Sequence, residues 1–386
     1  MPTLLVTNDF PPTVGGIQSY LRDFSDQLAR IAGADELVVF ASTQDAEAAR
    51  EFDASVGYTV IRWPRRVMLP TPATARTMRE IIARYGVETV WFGAAAPLAL
   101  MAPAARAAGA RRVVASTHGH EVGWAMLPVA RQALGVIGRG ADAITYVSRY
   151  TLGRCRGALG ASGAEPEFAA LPSGVDTGFF RPASQERAAE TRRRFGLGAG
   201  PLIVCASRLV ARKGQDVLID ALPAVTRAIP GARLVIVGSG PYERSLRRRA
   251  RGSAGAVLFT GAVGREDLRD IIAAADVFAM PARTRGGGLD VEGLGIVYLE
   301  AAACGVPVVA GRSGGAPETV GPGTGVVVNG RDRGEVAAVL IELLGDPSRR
   351  REMGRAGRAF VQEAFSWEVL GRRLYDLVRA PDCPAD

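Results

Sequence analysis

Residues 201–216 read P-L-I-V-C-A-S-R-L-V-A-R-K-G-Q-D, an apolar run without alternation, a short basic loop, a glycine, and the polar start of a helical pattern. A run that is apolar on both faces suits a strand covered on both sides, as in a parallel sheet between helical layers. The chain opens the same way: an apolar run at 4–7 leads into N-D-F-P-P-T-V-G-G-I-Q-S-Y at 8–20. Outward from these two openings, strand-like runs fall at 36–41, 59–63, 89–92, 112–116 and 143–148. A second set falls at 202–206, 233–237, 257–260, 277–280, 306–310 and 325–328. Helix-period segments such as 215–229 separate them.

Strands alternating with helices predict an α/β fold, and the restart near 201 predicts two Rossmann-like, doubly wound domains facing across a cleft. Between the sets, residues 171–199 hold P-S-G-V-D-T-G-F-F-R-P and an Arg/Glu-rich stretch, which together read as turn and linker. The expected domains are 1–180, 181–365, and a closing segment 366–386 whose helix crosses back to the first domain before a tail.

Forty-seven Lys+Arg face 39 Asp+Glu, and the sequence pI is near 9.8. That balance predicts an anionic partner, whether nucleotide phosphates, nucleic acid or an acidic membrane surface. No helix-turn-helix, aromatic RNA-binding strand or zinc spacing supports nucleic acid. No run approaches the ~18 apolar residues of a span and no leader pattern opens the chain, so a cytoplasmic protein is expected. Cys155, Cys205, Cys304 and Cys383 are scattered and read as inert thiols. Almost every basic residue is arginine; Lys213 is the single lysine, and both histidines, His118 and His120, fall in one tripeptide.

Four places carry candidate chemistry. Gly15 and Gly16 precede a helix starting near Ile17, where bare backbone N–H groups can receive an anion; a simple turn explains the pair equally well. The strand ending at Ser116 delivers T-H-G-H-E, setting His118 and Glu121 at a sheet edge where ligands bind. Glu121 reads as a cap. Arg208 and Lys213 leave another strand end, one a planar fork for phosphate oxygens and the other a compact charge. In E-G-L-G-I-V-Y-L-E, 292–300, Gly293 and Gly295 approach a helix bearing Glu300. A helical path between Glu292 and Glu300 would rise about 12 Å, comparable to the separation of sugar and ribose in a nucleotide sugar.

These residues resemble the large retaining GT-B glycosyltransferase family marked by E-x7-E, and the resemblance spans nearly the whole chain. Within it, N-D-F-P-P-T-V-G-G-I-Q-S-Y, S-T-H-G-H-E and P-A-R-T-R-G-G-G-L-D-V-E-G-L-G-I-V-Y-L-E look most like actinobacterial GDP-mannose-dependent phosphatidylinositol mannosyltransferases, particularly those that add the second mannose. The resemblance implies GDP-mannose as donor and phosphatidylinositol monomannoside as acceptor. It implies that Arg208 and Lys213 hold the diphosphate, that backbone at Gly15, Gly16, Gly295 and Ile296 adds donors, and that Val263 lines the base pocket. Glu292 would hold mannose, Glu300 ribose, His118 the transferred sugar and Gln18 the inositol. His118, Arg208, Lys213 and Glu292 would be the catalytic set. No D-x-D triplet occurs, and neither metal nor cofactor is expected.

A lipid acceptor implies work at the inner face of the plasma membrane. The stretch I-R-W-P-R-R-V-M-L-P and the A-R-T-M-R-E-I-I-A-R that follows interleave Arg62, Arg65, Arg66, Arg76 and Arg79 with Trp63, Met68, Leu69 and Ile81. Such a mixture suits an anionic membrane surface.

Overall fold

The computed structural model describes residues 2–160, 165–253 and 255–379. The chain divides into two compact units, one formed by Met1–Ser173 with the segment from Trp367 onward, the other by Gly174–Ser366.

In the first unit seven strands, β1 (Thr3–Thr7), β2 (Leu37–Ser42), β3 (Thr59–Trp63), β4 (Thr89–Phe92), β5 (Arg112–Thr117), β6 (Ala143–Tyr146) and β7 (Glu167–Ala170), pair in the order β3-β2-β1-β4-β5-β6-β7. Every pairing is parallel. Alternate side chains of β1 serve opposite cores: Leu4 and Val6 pack with Val90, Val113 and Ile144, Leu5 with Trp91, Phe24 and Val114. All are fully buried, which is why the strands read as continuous apolar runs. The second unit repeats the plan with β8 (Leu202–Ala206), β9 (Arg233–Val237), β10 (Val257–Gly261), β11 (Val277–Met280), β12 (Val308–Gly311) and β13 (Gly325–Val328), ordered β10-β9-β8-β11-β12-β13. Strand order reverses beside β1 and beside β8, so the crevices between β1 and β4 and between β8 and β11 are the ligand positions of this topology.

The helix Trp367–Val378 lies on the helix Gly16–Ala32 of the first unit. Leu370 and Leu374 are fully buried there, and the Trp367 ring meets Phe24 edge-on at 5.0 Å. A Cβ on Gly371 would stand 2.9 Å from Cβ of Gln27, so glycine lets the two helices approach. The Thr89 hydroxyl and the Arg112 guanidinium donate to the carbonyls of Val378 and Leu377, each at 2.6 Å.

Residues 171–199 are not wholly linker. The polar part folds as the helix Gln185–Arg194, capped by Ser184, and Arg192 donates to Asp276, Ala274 and Gly200. Its few apolar positions hid it, because polar anchors rather than an apolar stripe hold it down. The edge strand β7 also escapes a reading based on apolar runs, since E-F-A-A is exposed at Glu167 and only half-buried beyond it. The run at 306–310 begins pairing at Val308, because Pro307 has no N–H to donate. The run at 143–148 stops at Tyr146, and Ser148 instead caps the helix Arg149–Leu159 through the Thr151 amide.

Cys155, Cys205 and Cys304 are buried free thiols, each pushed up to about 12 by burial. Cys383 and the tail from 380 lie outside the described residues. No helix among the described residues is long and apolar enough to cross a membrane.

Candidate functional site

From the end of β8 the chain runs through Ser207, Arg208 and Leu209 into a short turn, Ala211–Lys213, that Gly214 closes with φ 77. A Cβ on Gly214 would stand 2.1 Å from the Pro281 carbonyl oxygen, so only glycine lets this turn press against the end of β11. The Arg283 amide donates to the Arg212 carbonyl at 2.8 Å, and the Arg283 guanidinium donates to Asp216 at 2.7 Å. Arg212 and Asp290 pair at 3.4 Å. The Lys213 turn and the loop leading to Glu292 are therefore joined at the β8/β11 crevice.

Within that frame Lys213 Nζ stands 2.5 Å from Glu292 Oε2, with both side chains almost enclosed at 11% and 9% exposure. Arg208 is exposed, and no carboxylate among the described residues pairs with it. The Glu292 backbone is fixed from β12: the Ser313 hydroxyl receives its N–H at 3.3 Å, and the Gly315 amide donates to its carbonyl at 2.9 Å. Gly295, with φ 91, starts the helix Ile296–Ala303, and a Cβ there would lie 2.5 Å from the Tyr298 ring. Tyr298 is buried and anchors that helix by donating to the Met280 carbonyl at 2.6 Å. Glu300 follows one turn on; its carboxyl makes no hydrogen bond or ion pair among the described residues, and burial pushes it up to about 7, opposed by the Arg265 charge. Val263, half-buried, follows β10.

Four buried polar atoms at this edge make no hydrogen bond: Arg212 Nε, Gln215 Oε1, Asp216 Oδ1 and Glu292 Oε2, the last touching Lys213 outside hydrogen-bond geometry. Buried polar atoms are otherwise nearly always partnered, so their concentration here marks a place built to receive polar groups. Among the described residues no three His, Cys, Asp or Glu side chains group to hold a metal ion.

The first unit sets Gly15, Gly16, Gln18 and His118 at the carboxyl edge of its own sheet. A Cβ on Gly16 would meet nothing within 4 Å, whereas one on Gly15 would collide with the Gln18 side chain. Gln18 is not free; its amide donates to Asp9 at 2.9 Å. His118 Nε2 donates to the Gly93 carbonyl at 2.7 Å, and the ring meets Tyr20 edge-on at 4.8 Å. Burial, the largest influence, lowers its basicity. The imidazole is thus neutral, protonated on Nε2, with Nδ1 left as an acceptor. Glu121 is fully buried and accepts from the amides of His118 and Gly119 at 3.1 and 3.0 Å, closing the turn that aims the histidine.

The arginine stretch needs correction. Arg62 is enclosed, paired with Asp53 at 2.6 Å and donating to the Pro11 carbonyl, while Met68 and Ile81 are buried in the core and Trp63 packs against it. What faces outward is Arg65, Arg66, Val67, Leu69, Arg76 and Arg79. Sequence reasoning also missed Asn8, Asp216, Arg283 and Ser313. Asn8 clips the arginine loop to the end of β1 by a two-way bond with the Met68 backbone, 2.9 and 2.6 Å. Ser313 had a signal, since G-R-S-G-G directly follows an apolar run. Asn8, Asp216 and Arg283 act through partners 60 and 67 residues away, which no local pattern reveals.

Residues 14–179 match the model described as Glycosyltransferase Family 4, and residues 189–360 match Glycosyl transferases group 1. The chain is 58% identical over 381 residues, 98% of both chains, to a Corynebacterium glutamicum protein named GDP-mannose-dependent monoacylated alpha-(1-6)-phosphatidylinositol monomannoside mannosyltransferase. It is 56% identical over 97% of both chains to a Mycolicibacterium smegmatis GDP-mannose-dependent alpha-(1-6)-phosphatidylinositol monomannoside mannosyltransferase. Among solved structures, Anabaena HepE in complex with UDP aligns with TM-score 0.76 at 19% identity, covering 97% of this chain and 99% of that one. A Rickettsia africae glycosyltransferase aligns with TM-score 0.79 at 17% identity, covering 98% and 97%. With two parallel Rossmann-like sheets and kinship over nearly its whole length, the chain belongs to the group 1 glycosyltransferases of GT-B fold.

Proposed function

We propose that the protein transfers mannose from GDP-mannose to phosphatidylinositol monomannoside, forming an α-1,6 linkage with retention at the anomeric carbon. The observation that carries this reading is the 58% identity, over 98% of both chains, to a relative named for that reaction. Arg208 and Lys213 bind the diphosphate, and Lys213 exchanges Glu292 for phosphate oxygens as the donor enters. Glu292, released, accepts from mannose hydroxyls, and Glu300 accepts from ribose. Backbone N–H groups at Gly15, Gly16, Gly295 and Ile296 add donors, and Val263 meets the base through its main chain. Nδ1 of His118 accepts from a hydroxyl of the transferred sugar, and Gln18 turns from Asp9 to the inositol.

In the reaction the bond from the anomeric carbon to the phosphate oxygen breaks, and a bond to the acceptor oxygen forms on the same face. The acceptor proton passes to the leaving phosphate. The cations lower the barrier by compensating the negative charge that grows on the diphosphate. The four unpartnered buried atoms beside Lys213 support a polar ligand there.

The acceptor is a lipid, so the protein works as a peripheral enzyme at the inner face of the plasma membrane, with no metal needed. Purified protein incubated with membrane lipid extract should move label from GDP-mannose, and not from UDP-glucose, into phosphatidylinositol dimannoside, with EDTA present or absent. Transfer from UDP-glucose alone, or complete metal-reversible loss in EDTA, would overturn the reading.

A further inference from the structure

Among the described residues of the first unit seven large apolar side chains stand exposed: Val14 (98%), Val67, Leu69, Met126, Leu127, Val129 (80%) and Val136. Singly scattered apolar residues on a surface need no explanation, but contiguous ones do. These are not scattered. Val14 follows β1, Val67 and Leu69 follow β3, and Met126, Leu127 and Val129 follow β5, with Val136 two turns further along the helix that starts there. Because all seven strands run parallel, those three exits share one edge of the sheet. The loops entering the strands at the opposite edge show no exposed large apolar residue among the described residues.

The group after β5 is the densest. Met126 and Leu127 lead into the helix Pro128–Gly140, whose inner face buries Leu134 and Ile137, while Gly138 lies so near the Leu159 carbonyl that a Cβ would overlap it. That contact fixes which face turns out. Val129, Gln132, Val136 and Arg139, spaced i, i+3, i+7 and i+10, form the outward stripe. An ordinary surface helix would carry charge or polar groups at the Val129 and Val136 positions too.

What covers this edge follows from charge and breadth. No acid occurs between Glu121 and Asp142, between Trp63 and Arg79, or between Phe10 and Leu21, whereas Arg65, Arg66, Arg76, Arg79 and Arg131 are exposed in the same segments. Four inter-strand spacings separate β3 from β5, about 19 Å, broader than a pocket for one small ligand. Asp45 and Glu47, after β2, are exposed within that width, but the arginines outnumber them, and apolar tips among a surplus of arginines suit a sheet of anionic amphiphiles.

We infer that the segment 126–136 is an apolar foot that inserts Met126, Leu127 and Val129 among the acyl chains of an anionic bilayer, beside the electrostatic contact of the arginines after β3. The inference rests on the lipid acceptor proposed above and adds a contact that salt does not screen. It sets the acceptor-binding edge, with His118 and Gln18, against the lipid rather than merely near it.

The test combines Met126→Ser, Leu127→Ser and Val129→Ser, all exposed, so that the melting temperature should match the wild type. Co-sedimentation with phosphatidylcholine vesicles containing phosphatidylinositol is measured at about 0.1 M and about 1 M salt, where charge screening reaches ~10 Å and ~3 Å. The triple variant should lose the salt-resistant part of binding by about tenfold or more. Transfer to vesicle-embedded phosphatidylinositol monomannoside should fall in parallel, and transfer to its deacylated, water-soluble analogue should not. Sedimentation equal to wild type at high salt would overturn the inference, as would a concentration-dependent dimer that the variant abolishes. Vesicle binding requires no turnover, so salt-resistant binding without mannose transfer would sink the mannosyltransferase reading and leave the foot standing.

Discussion

Lys213 and Glu292 neutralise each other at 2.5 Å in a nearly closed space, although they leave different strands of the sheet. The residues proposed to divide the donor between them are thus partners before it arrives. An anion that satisfies Lys213 alone strands the Glu292 carboxylate; a ligand offering phosphate to one and hydroxyls to the other satisfies both.

Lys213→Ala and Arg208→Ala should each lower turnover more than tenfold, because each removes a cation facing growing charge. Loss of the exposed Arg208 should leave the melting temperature unchanged, whereas Lys213→Ala leaves the Glu292 carboxylate enclosed and unpaired and should lower it. Lys213→Arg should also be impaired, since a planar fork does not fit the 11%-exposed space of a compact ammonium. Steady-state kinetics decide; near-wild-type turnover for Lys213→Arg would count against the role given to this lysine.

Glu300 makes donor affinity pH-dependent. Its carboxyl is pushed up to about 7 by burial, and the ionised form is the one that accepts ribose hydroxyls. The KM for the donor should therefore rise as pH falls from 8 to 6. Stability moves the other way. Between the ordinary glutamate range and 7 the folded state holds a proton that the unfolded state has lost, so this group favours folding at pH 5 and opposes it at pH 8. Glu300→Gln should flatten both trends, as isothermal titration and urea denaturation at the two pH values would register.

Asp216 and Arg283 pair at 2.7 Å with 11% and 14% exposure. Arg283→Gln should destabilise the second unit by about 3 kcal/mol, because it leaves a buried carboxylate without its cation and with only the Tyr242 hydroxyl, at 3.3 Å, donating to it. Adding Asp216→Asn should recover much of the loss. Equal denaturation midpoints for the single and double variants would argue against the pairing.

Replacing Arg65, Arg66, Arg76 and Arg79 with serine should weaken vesicle sedimentation at low salt, leave the high-salt fraction unchanged, and leave donor affinity intact. Donor affinity that falls with vesicle binding would place these arginines elsewhere than at a lipid surface.

The two-sheet plan was legible because strands such as β8 and β11 are apolar on both faces, and a parallel sheet demands that. The helix Gln185–Arg194 and the edge strand β7 were not, since polar anchors and half-burial leave no periodic apolar signal. Of the candidate site, the residue types at strand ends were readable, and so was the single lysine. Their pairing was not: the latch of Arg283 on Asp216 and the hold of Ser313 on Glu292 join separate loops that only the folded sheet edge brings side by side. The arginine stretch was half misread because sequence does not say that Arg62 turns inward to Asp53.

The bond from His118 Nε2 to the Gly93 carbonyl has an outcome for kinetics. Because that nitrogen spends its hydrogen on the backbone and burial resists a second proton, the imidazole enters turnover as a fixed dipole, not a relay. Burial lowers the basicity of this histidine, while the Gly93 bond fixes its tautomer. The acid limb of a rate profile should then carry one inflection, owned by a carboxyl, and replacing His118 with asparagine should lower the plateau without moving that inflection.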